Sequence, residues 1–132
     1  NLPTPLDDNS YDFSFSGLKT FVRNMYNENI NKEDLAASFQ NVVVNIITKK
    51  TMRAVKEYNV KQLLISGGVA ANFGIRNKFK ELCESENIEL LIPPTKYCTD
   101  NAAMIGAAAY FAQKNDDVSH INLSAFSTTD EK

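Results

Sequence analysis

The feature that most constrains the fold is an alternation of short apolar runs and helical patterns in the second half of the chain. One run covers residues 62–66 (QLLIS) and ends at two glycines, and another covers residues 89–92 (ELLI) and ends at two prolines. Apolar residues at helical spacing follow each run, from Asn72 onward and over residues 100–113. Strands that alternate with helices predict the α/β fold class, with helices packed on a small sheet.

Two helices are predicted before this alternation, from about Gly17 to Asn27 and from Asn31 to Tyr58. Asn31 is a plausible N-cap of the second helix, whose apolar residues form one stripe. The opposite face is basic, which predicts a solvated helix face, with RNA contact as the alternative. Its cations are Lys49, Lys50, Arg53 and Lys56.

The length of 132 residues suits one domain with its own core. Residues 1–12 contain two prolines and no periodicity, which predicts an extended entry segment before a folded part, residues 13–115. Residues 116–132 are rich in Ser, Thr and Asp and are predicted to form a flexible tail. The polar start predicts no signal peptide, and we expect the sequence to come from a longer protein.

Charge and composition exclude several classes of protein. Fourteen basic and sixteen acidic residues give a net charge of −2, whereas a protein that binds nucleic acid on its own is strongly basic. The apolar runs are too short to span a bilayer, so no membrane association is expected. Cys83 and Cys98 have neither metal-site nor redox spacing, which favours a reducing cytoplasm. The one histidine, His120, lies in the polar tail.

The segment ISGGVAAN, residues 65–72, is the first candidate site. Without a Cβ at Gly67 and Gly68, backbone N–H groups can approach a ligand, and a helix start favours phosphate or another anion. The Asn72 amide could cap that helix or hydrogen-bond a ribose or a base. A tight turn in any α/β protein has the same pattern, so both interpretations stay open.

The segment CTDNAAM, residues 98–104, is the second candidate site. Either Thr99 or Asp100 caps the alanine-rich helix that follows, or Asp100 is a carboxylate ligand for a metal or a substrate. The segment DFSFSGLKT, residues 12–20, contains serines but no base beside them, which favours a structural role.

Taken together and in order, the segments DFSFSGLKT, LAASFQ, ISGGVAAN and PPTKYCTDNAAMIGAAAY resemble the tRNA threonylcarbamoyladenosine transferase family, formerly called O-sialoglycoprotein endopeptidases or glycoproteases. The resemblance covers residues 12 to about 111 and implies the C-terminal lobe of an actin, sugar-kinase and Hsp70-like (ASKHA) fold. It also implies an activity, the transfer of threonylcarbamoyl from threonylcarbamoyl-AMP to N6 of the adenosine beside the tRNA anticodon.

The resemblance assigns roles to four residues. Gly67, Gly68 and Asn72 match the motif that binds the adenylate, and Asp100 matches the aspartate that ligates one divalent metal, iron or zinc. The family completes this metal site with an HxxxH motif, which is absent here together with the N-terminal lobe. We therefore expect this chain alone to be inactive and metal-free. No catalytic residue can be identified.

The family also implies tRNA and threonylcarbamoyl-AMP as substrates and, in bacteria, an inactive paralogue and a P-loop ATPase as partners. One alternative function is a non-catalytic scaffold paralogue of the same complex, but a scaffold has no need of both candidate motifs. The other is the metallopeptidase of the older family name, which needs three protein ligands and a general base that this chain does not supply.

Overall fold

The computed structural model describes residues 2–5, 8–26 and 30–124. It divides the chain into two compact units, residues 1–99 and residues 100–132. Within the described residues, no helix combines the length and the apolar character that a membrane crossing requires.

The helices and strands predicted from the sequence are confirmed, with ends shifted by one or two residues. The described residues of the first unit form α1 (Ser16–Met25), α2 (Lys32–Glu57), β1 (Gln62–Leu64), α3 (Phe73–Ser85) and β2 (Glu89–Leu91), with 3₁₀ turns at Gly68–Ala71 and Thr95–Tyr97. The second unit contains α4 (Ala102–Lys114). The predicted tail lies outside the described residues from residue 125 on.

The two strands form a parallel sheet, whereas the α/β prediction did not specify the strand direction. Leu63 pairs with Leu90 in the middle of the register, and α3 connects the two strands. Because parallel strands point the same way, the loops that follow β1 and β2 leave the same edge of the sheet. Ligands of open parallel sheets bind at that edge.

The core of the first unit lies between α2, α3 and the sheet. Phe79 of α3 is fully buried, and Val55 of α2 is only 4% exposed. Burying an aromatic or aliphatic side chain of this size contributes about 1.5–3 kcal/mol, so this contact holds α3 on α2. The buried cluster consists of Val44, Met52, Val55, Ile75, Phe79 and Cys83.

Asparagines lie at several of the helix ends. Oδ1 of Asn31 accepts a hydrogen bond from the Asp34 N–H at 2.9 Å, which confirms the predicted N-cap of α2. Asn59 and Asn87 follow the ends of α2 and α3 with φ of 49° and 54°. Asparagine tolerates this left-handed conformation better than most residues, and it ends a helix.

The prediction of a solvated basic face on α2 is wrong for Lys50 and Arg53, because these side chains bind the entry segment. Lys50 is 5% exposed, and its Nζ donates to Oδ1 of Asp8 at 3.0 Å and to the carbonyl of Asp12 at 2.7 Å. Arg53 donates to the carbonyl of Asp8 at 3.0 Å. The Ser10 hydroxyl and Lys50 lower the pKa of Asp8 to about 2. Lys50 and Arg53 are therefore bound to the entry segment and are not available for the alternative role, contact with RNA.

Candidate functional site

The first site is the glycine loop, residues 65–72, which begins directly after β1. Gly67 has φ of 81° and ψ of 175°, a backbone conformation that is essentially restricted to glycine. A Cβ at Gly67 would meet no atom within 4 Å, so backbone conformation rather than space requires glycine there. Any other residue at position 67 would therefore strain the backbone of the loop.

Two backbone N–H groups of the glycine loop form no hydrogen bond within the part of the chain that the structure describes. The Ala70 N–H donates to the Gly67 carbonyl and the Asn72 N–H to the Val69 carbonyl, each at 3.0 Å. Among the described residues, the N–H groups of Gly68 and Val69 have no hydrogen-bond acceptor. Successive backbone N–H groups of this kind can bind an anion.

Asn72 is the N-cap of α3, so the capping interpretation is confirmed. Its Oδ1 accepts from the Ile75 N–H at 3.1 Å, and its Nδ2 donates to Oε1 of Gln40 on α2 at 3.1 Å. Oδ1 serves the cap and one of the two Nδ2 hydrogens serves Gln40, while the second Nδ2 hydrogen has no acceptor among the described residues. Gln40 is a site residue that the sequence analysis missed, since nothing local links it to a loop 32 residues away.

The second candidate site lies at the start of the second unit. Asn101 caps α4, with its Oδ1 accepting from the Met104 N–H at 2.9 Å, so the prediction of Thr99 or Asp100 as the cap is wrong. Asn101 takes this role because it directly precedes the helix in extended backbone, with φ of −154°. Asp100 is exposed and has no hydrogen bond or ion pair with the described residues, so its carboxylate is available for another role.

The described residues do not supply a metal centre. No group of three or more His, Cys, Asp or Glu side chains within them could hold a metal ion. Asp100 can contribute one oxygen ligand, whereas a transition-metal site needs several converging ligands.

Arg76 is a second residue that the sequence analysis missed. Its guanidinium reaches the carbonyl oxygens of Ala70 and Pro93 and the Sγ of Cys98. A signal was present in the sequence, because a cation in the first turn of a helix opposes the helix dipole. Such a position indicates a role other than helix formation.

A groove of about 470 Å³ lies between α1 and the start of α2, and none of its lining residues belongs to the glycine loop. Its floor is apolar and its rim is basic. The lining residues are Lys19, Val22, Arg23, Tyr26, Lys32, Leu35, Ala36 and Phe39. Lys19 of the third candidate segment thus lies at a surface without a catalytic group, which agrees with a structural role for that segment.

Comparison with known proteins decides the family. The family model described as tRNA N6-adenosine threonylcarbamoyltransferase matches residues 1–107. The chain belongs to this family. It is 47% identical over 131 residues to the tRNA N6-adenosine threonylcarbamoyltransferase of Staphylococcus haemolyticus, covering 95% of this chain and 38% of that protein. The Thermosipho africanus protein of the same name is 49% identical over 130 residues, covering 95% and 39%. The Bacillus subtilis protein is 52% identical over 122 residues, covering 85% and 35%.

The family match covers all four candidate site residues. Gly67, Gly68, Asn72 and Asp100 all lie within the matched residues, whereas His120 lies beyond them. The chain spans less than two fifths of the length of these relatives, between 35% and 39%.

Proposed function

We propose that the chain is the part of a tRNA-modifying acyltransferase that binds the adenylate of threonylcarbamoyl-AMP. The whole enzyme transfers the threonylcarbamoyl group to N6 of the adenosine beside the tRNA anticodon, in the cytoplasm. The observation that carries the proposal is the glycine loop, where Gly67 takes its glycine-specific conformation and the N–H groups of Gly68 and Val69 have no acceptor among the described residues. The family of the matched residues supports it. We also propose that the chain belongs to the C-terminal lobe of an actin, sugar-kinase and Hsp70-like fold.

The reaction defines what the glycine loop has to hold. The N6 amine attacks the carbonyl carbon of the mixed anhydride, a C–N bond forms, the C–O bond to phosphate breaks, and the amine loses a proton. AMP is the leaving group, so its phosphate gains negative charge as the bond breaks. Backbone N–H donors that hold this phosphate stabilise the developing charge. The amides of Gly68 and Val69 are the donors that we assign to it.

Asn72 is the proposed polar contact to the adenosine part of the ligand. Its Oδ1 stays on the Ile75 N–H as the cap of α3, and one Nδ2 hydrogen stays on Gln40. The second Nδ2 hydrogen donates to a ribose or base oxygen or nitrogen acceptor, so neither existing hydrogen bond has to break. The cap and the ligand contact use different atoms of one amide.

Asp100 is proposed as one carboxylate ligand of a divalent metal, iron or zinc. The described residues do not fit a complete centre, and the chain has a single histidine, so the other ligands have to come from outside it. The exposed carboxylate, which α4 does not use as a cap, supports this role. We expect the chain alone to bind no metal firmly and to be inactive.

The remaining partners follow from the family. We propose tRNA as the acceptor substrate, and an inactive paralogue and a P-loop ATPase as protein partners in a bacterial cell. The net charge of −2 supports a need for partners, because a chain with a net negative charge cannot hold tRNA without other surfaces.

The test is a calorimetric titration with a non-hydrolysable threonylcarbamoyl-AMP analogue. The protein is a chimaera in which this chain replaces the matching segment of the Staphylococcus haemolyticus relative, which supplies the rest of the enzyme. Asn72→Ala is expected to weaken binding by about 1–3 kcal/mol, the range for a lost polar contact. Asn31→Ala removes an equivalent cap from α2 and is the control for lost capping. Equal effects of the two substitutions, or an unaltered chimaera that binds no analogue, contradict the proposal.

A further inference from the structure

Two loops leave the same edge of the sheet, and the side chain of Arg76 joins them. Its Nε donates to the carbonyl of Ala70, in the glycine loop, at 2.5 Å. Its Nη2 donates to the carbonyl of Pro93, in the loop after β2, at 2.7 Å and lies 3.0 Å from the Sγ of Cys98 in the same loop. A guanidinium is planar and its donors have fixed directions, so these contacts set the distance between the two loops.

Among the described residues, the other hydrogen bonds of the two loops lie within a loop or at its base, apart from the bond of Asn72 to Gln40 on α2. The glycine loop is closed by the bond from Ala70 N–H to Gly67, and the loop after β2 by the bond from Cys98 N–H to Thr95. The bond from Ile65 N–H to the Leu91 carbonyl, 3.1 Å long, joins the loops where they leave the strands. Arg76 joins Ala70 of the glycine loop to Pro93 and Cys98 of the loop after β2, at the edge of the sheet where a ligand would bind.

Helix formation and charge pairing do not account for this position of Arg76. It is the fourth residue of α3, in the first turn, where the helix dipole disfavours a cation. No carboxylate of the described residues forms an ion pair with it, although its side chain is partly buried. Its donors are bound by carbonyl oxygens and a thiol sulfur of the two loops.

We propose that Arg76 is a positioning residue that holds the glycine loop at a fixed distance from the loop after β2 and thereby sets the N–H groups of Gly68 and Val69 for the adenylate phosphate. The inference rests on the proposed function, because the adenylate is the ligand that these groups receive. Arg76 acts through the loop and does not itself contact the ligand.

The experiment uses the chimaera with the Staphylococcus haemolyticus relative and three variants. Arg76→Ala removes the bridge, and Arg76→Lys keeps the charge but not the two-pronged geometry. Lys78→Ala is the matched control, since it removes a cation from the same helix whose ion-pair partner, Glu81, lies on that helix at 3.1 Å. Kinetics with threonylcarbamoyl-AMP and amide hydrogen exchange of residues 65–72 are measured for each. If Arg76→Ala does not fold, Arg76→Gln, which can keep one carbonyl contact, replaces it.

Arg76→Ala is expected to raise KM for threonylcarbamoyl-AMP about tenfold, equivalent to about 1.4 kcal/mol, while kcat falls much less. Exchange of the hydrogen-bonded amides of the glycine loop, those of Ala70 and Asn72, is expected to accelerate by a similar factor. Arg76→Lys should recover only a small part of both effects, because one ammonium cannot bridge both carbonyls in this geometry. Lys78→Ala should change neither. A residue that served stability alone would lower the unfolding temperature and leave KM unchanged.

Three results would overturn the inference. One is a KM for folded Arg76→Ala close to that of the unaltered chimaera, and another is full recovery by Arg76→Lys, which would assign the effect to charge. The third is unchanged amide exchange in the glycine loop. Failure of the proposed function would give a different result, namely an unaltered chimaera that neither binds nor uses threonylcarbamoyl-AMP. In that case the amide-exchange measurement still decides whether Arg76 holds the glycine loop in place.

Discussion

Replacing Gly74 with alanine is expected to destabilise the first unit, although alanine is the better helix former. Gly74 is the second residue of α3, and a Cβ placed there lies 3.1 Å from Oδ1 of Asn72 and 3.3 Å from Cγ2 of Val44. Both distances are shorter than an ordinary van der Waals contact. The Asn72 oxygen cannot withdraw freely, because it accepts from Ile75 while the other end of the amide donates to Gln40.

The magnitude follows from three opposing contributions. Alanine gains about 1 kcal/mol of helix propensity over glycine. Weakening the Asn72 cap costs about 1 kcal/mol, and crowding Val44, which is 8% exposed in the core, costs about 1–3 kcal/mol. The free energy of unfolding should therefore fall by about 1–3 kcal/mol, the sum of these three contributions.

The control is Gly17→Ala, because Gly17 is also the second residue of its helix, α1, and a Cβ there meets no atom within 4 Å. Its free energy of unfolding should rise by up to about 1 kcal/mol. Urea unfolding followed by far-ultraviolet circular dichroism gives both values. In an Asn72→Ala background the cost of Gly74→Ala should become smaller, since the crowded oxygen is gone. If Gly74→Ala stabilises the chain as Gly17→Ala does, the argument from close packing is refuted.

Three further predictions concern the second unit, the entry segment and the core. Asn101→Ala should lower the stability of α4 by about 1 kcal/mol, whereas Asp100→Ala should leave it unchanged, and helix-resolved amide exchange distinguishes the two. The pKa of Asp8 is lowered from 3.8 to about 2, so its contribution to stability is present above pH 3.8 and is lost as the pH falls toward 2. When the free energy of unfolding is measured over a series of acid pH values, Asp8→Asn should remove this part of its pH dependence. Burial raises the pKa of the Cys83 thiol, so at pH 8 a thiol reagent should modify Cys83, identified by peptide mass spectrometry, much more slowly in the folded chain than in urea. Equal rates in the two states would show that the thiol is accessible in the folded chain.

Much of the fold and the N-caps of α2 and α3 could be predicted from the sequence because their signals are local. The run QLLIS before two glycines and the run ELLI before two prolines locate the strands, and Asn31 before an acidic first turn locates the start of α2. The glycine loop was found for the same reason, since the pattern of strand, glycines and helix lies within residues 62–72. The cap of α4 was misassigned because three adjacent residues can all cap a helix, and only the backbone conformation selects Asn101.

By itself the sequence determined the order of helices and strands, the family resemblance and the position of the glycine loop after β1. Only the tertiary structure decided that Lys50 is buried on an aspartate 42 residues away, that Asn72 shares its amide with Gln40, and that Arg76 joins two loops. Periodicity reports which face of a helix is apolar, because that depends on neighbours three or four positions along. Which distant side chain or carbonyl a polar group meets depends on how α2, α3 and the sheet pack, and no local pattern contains that packing.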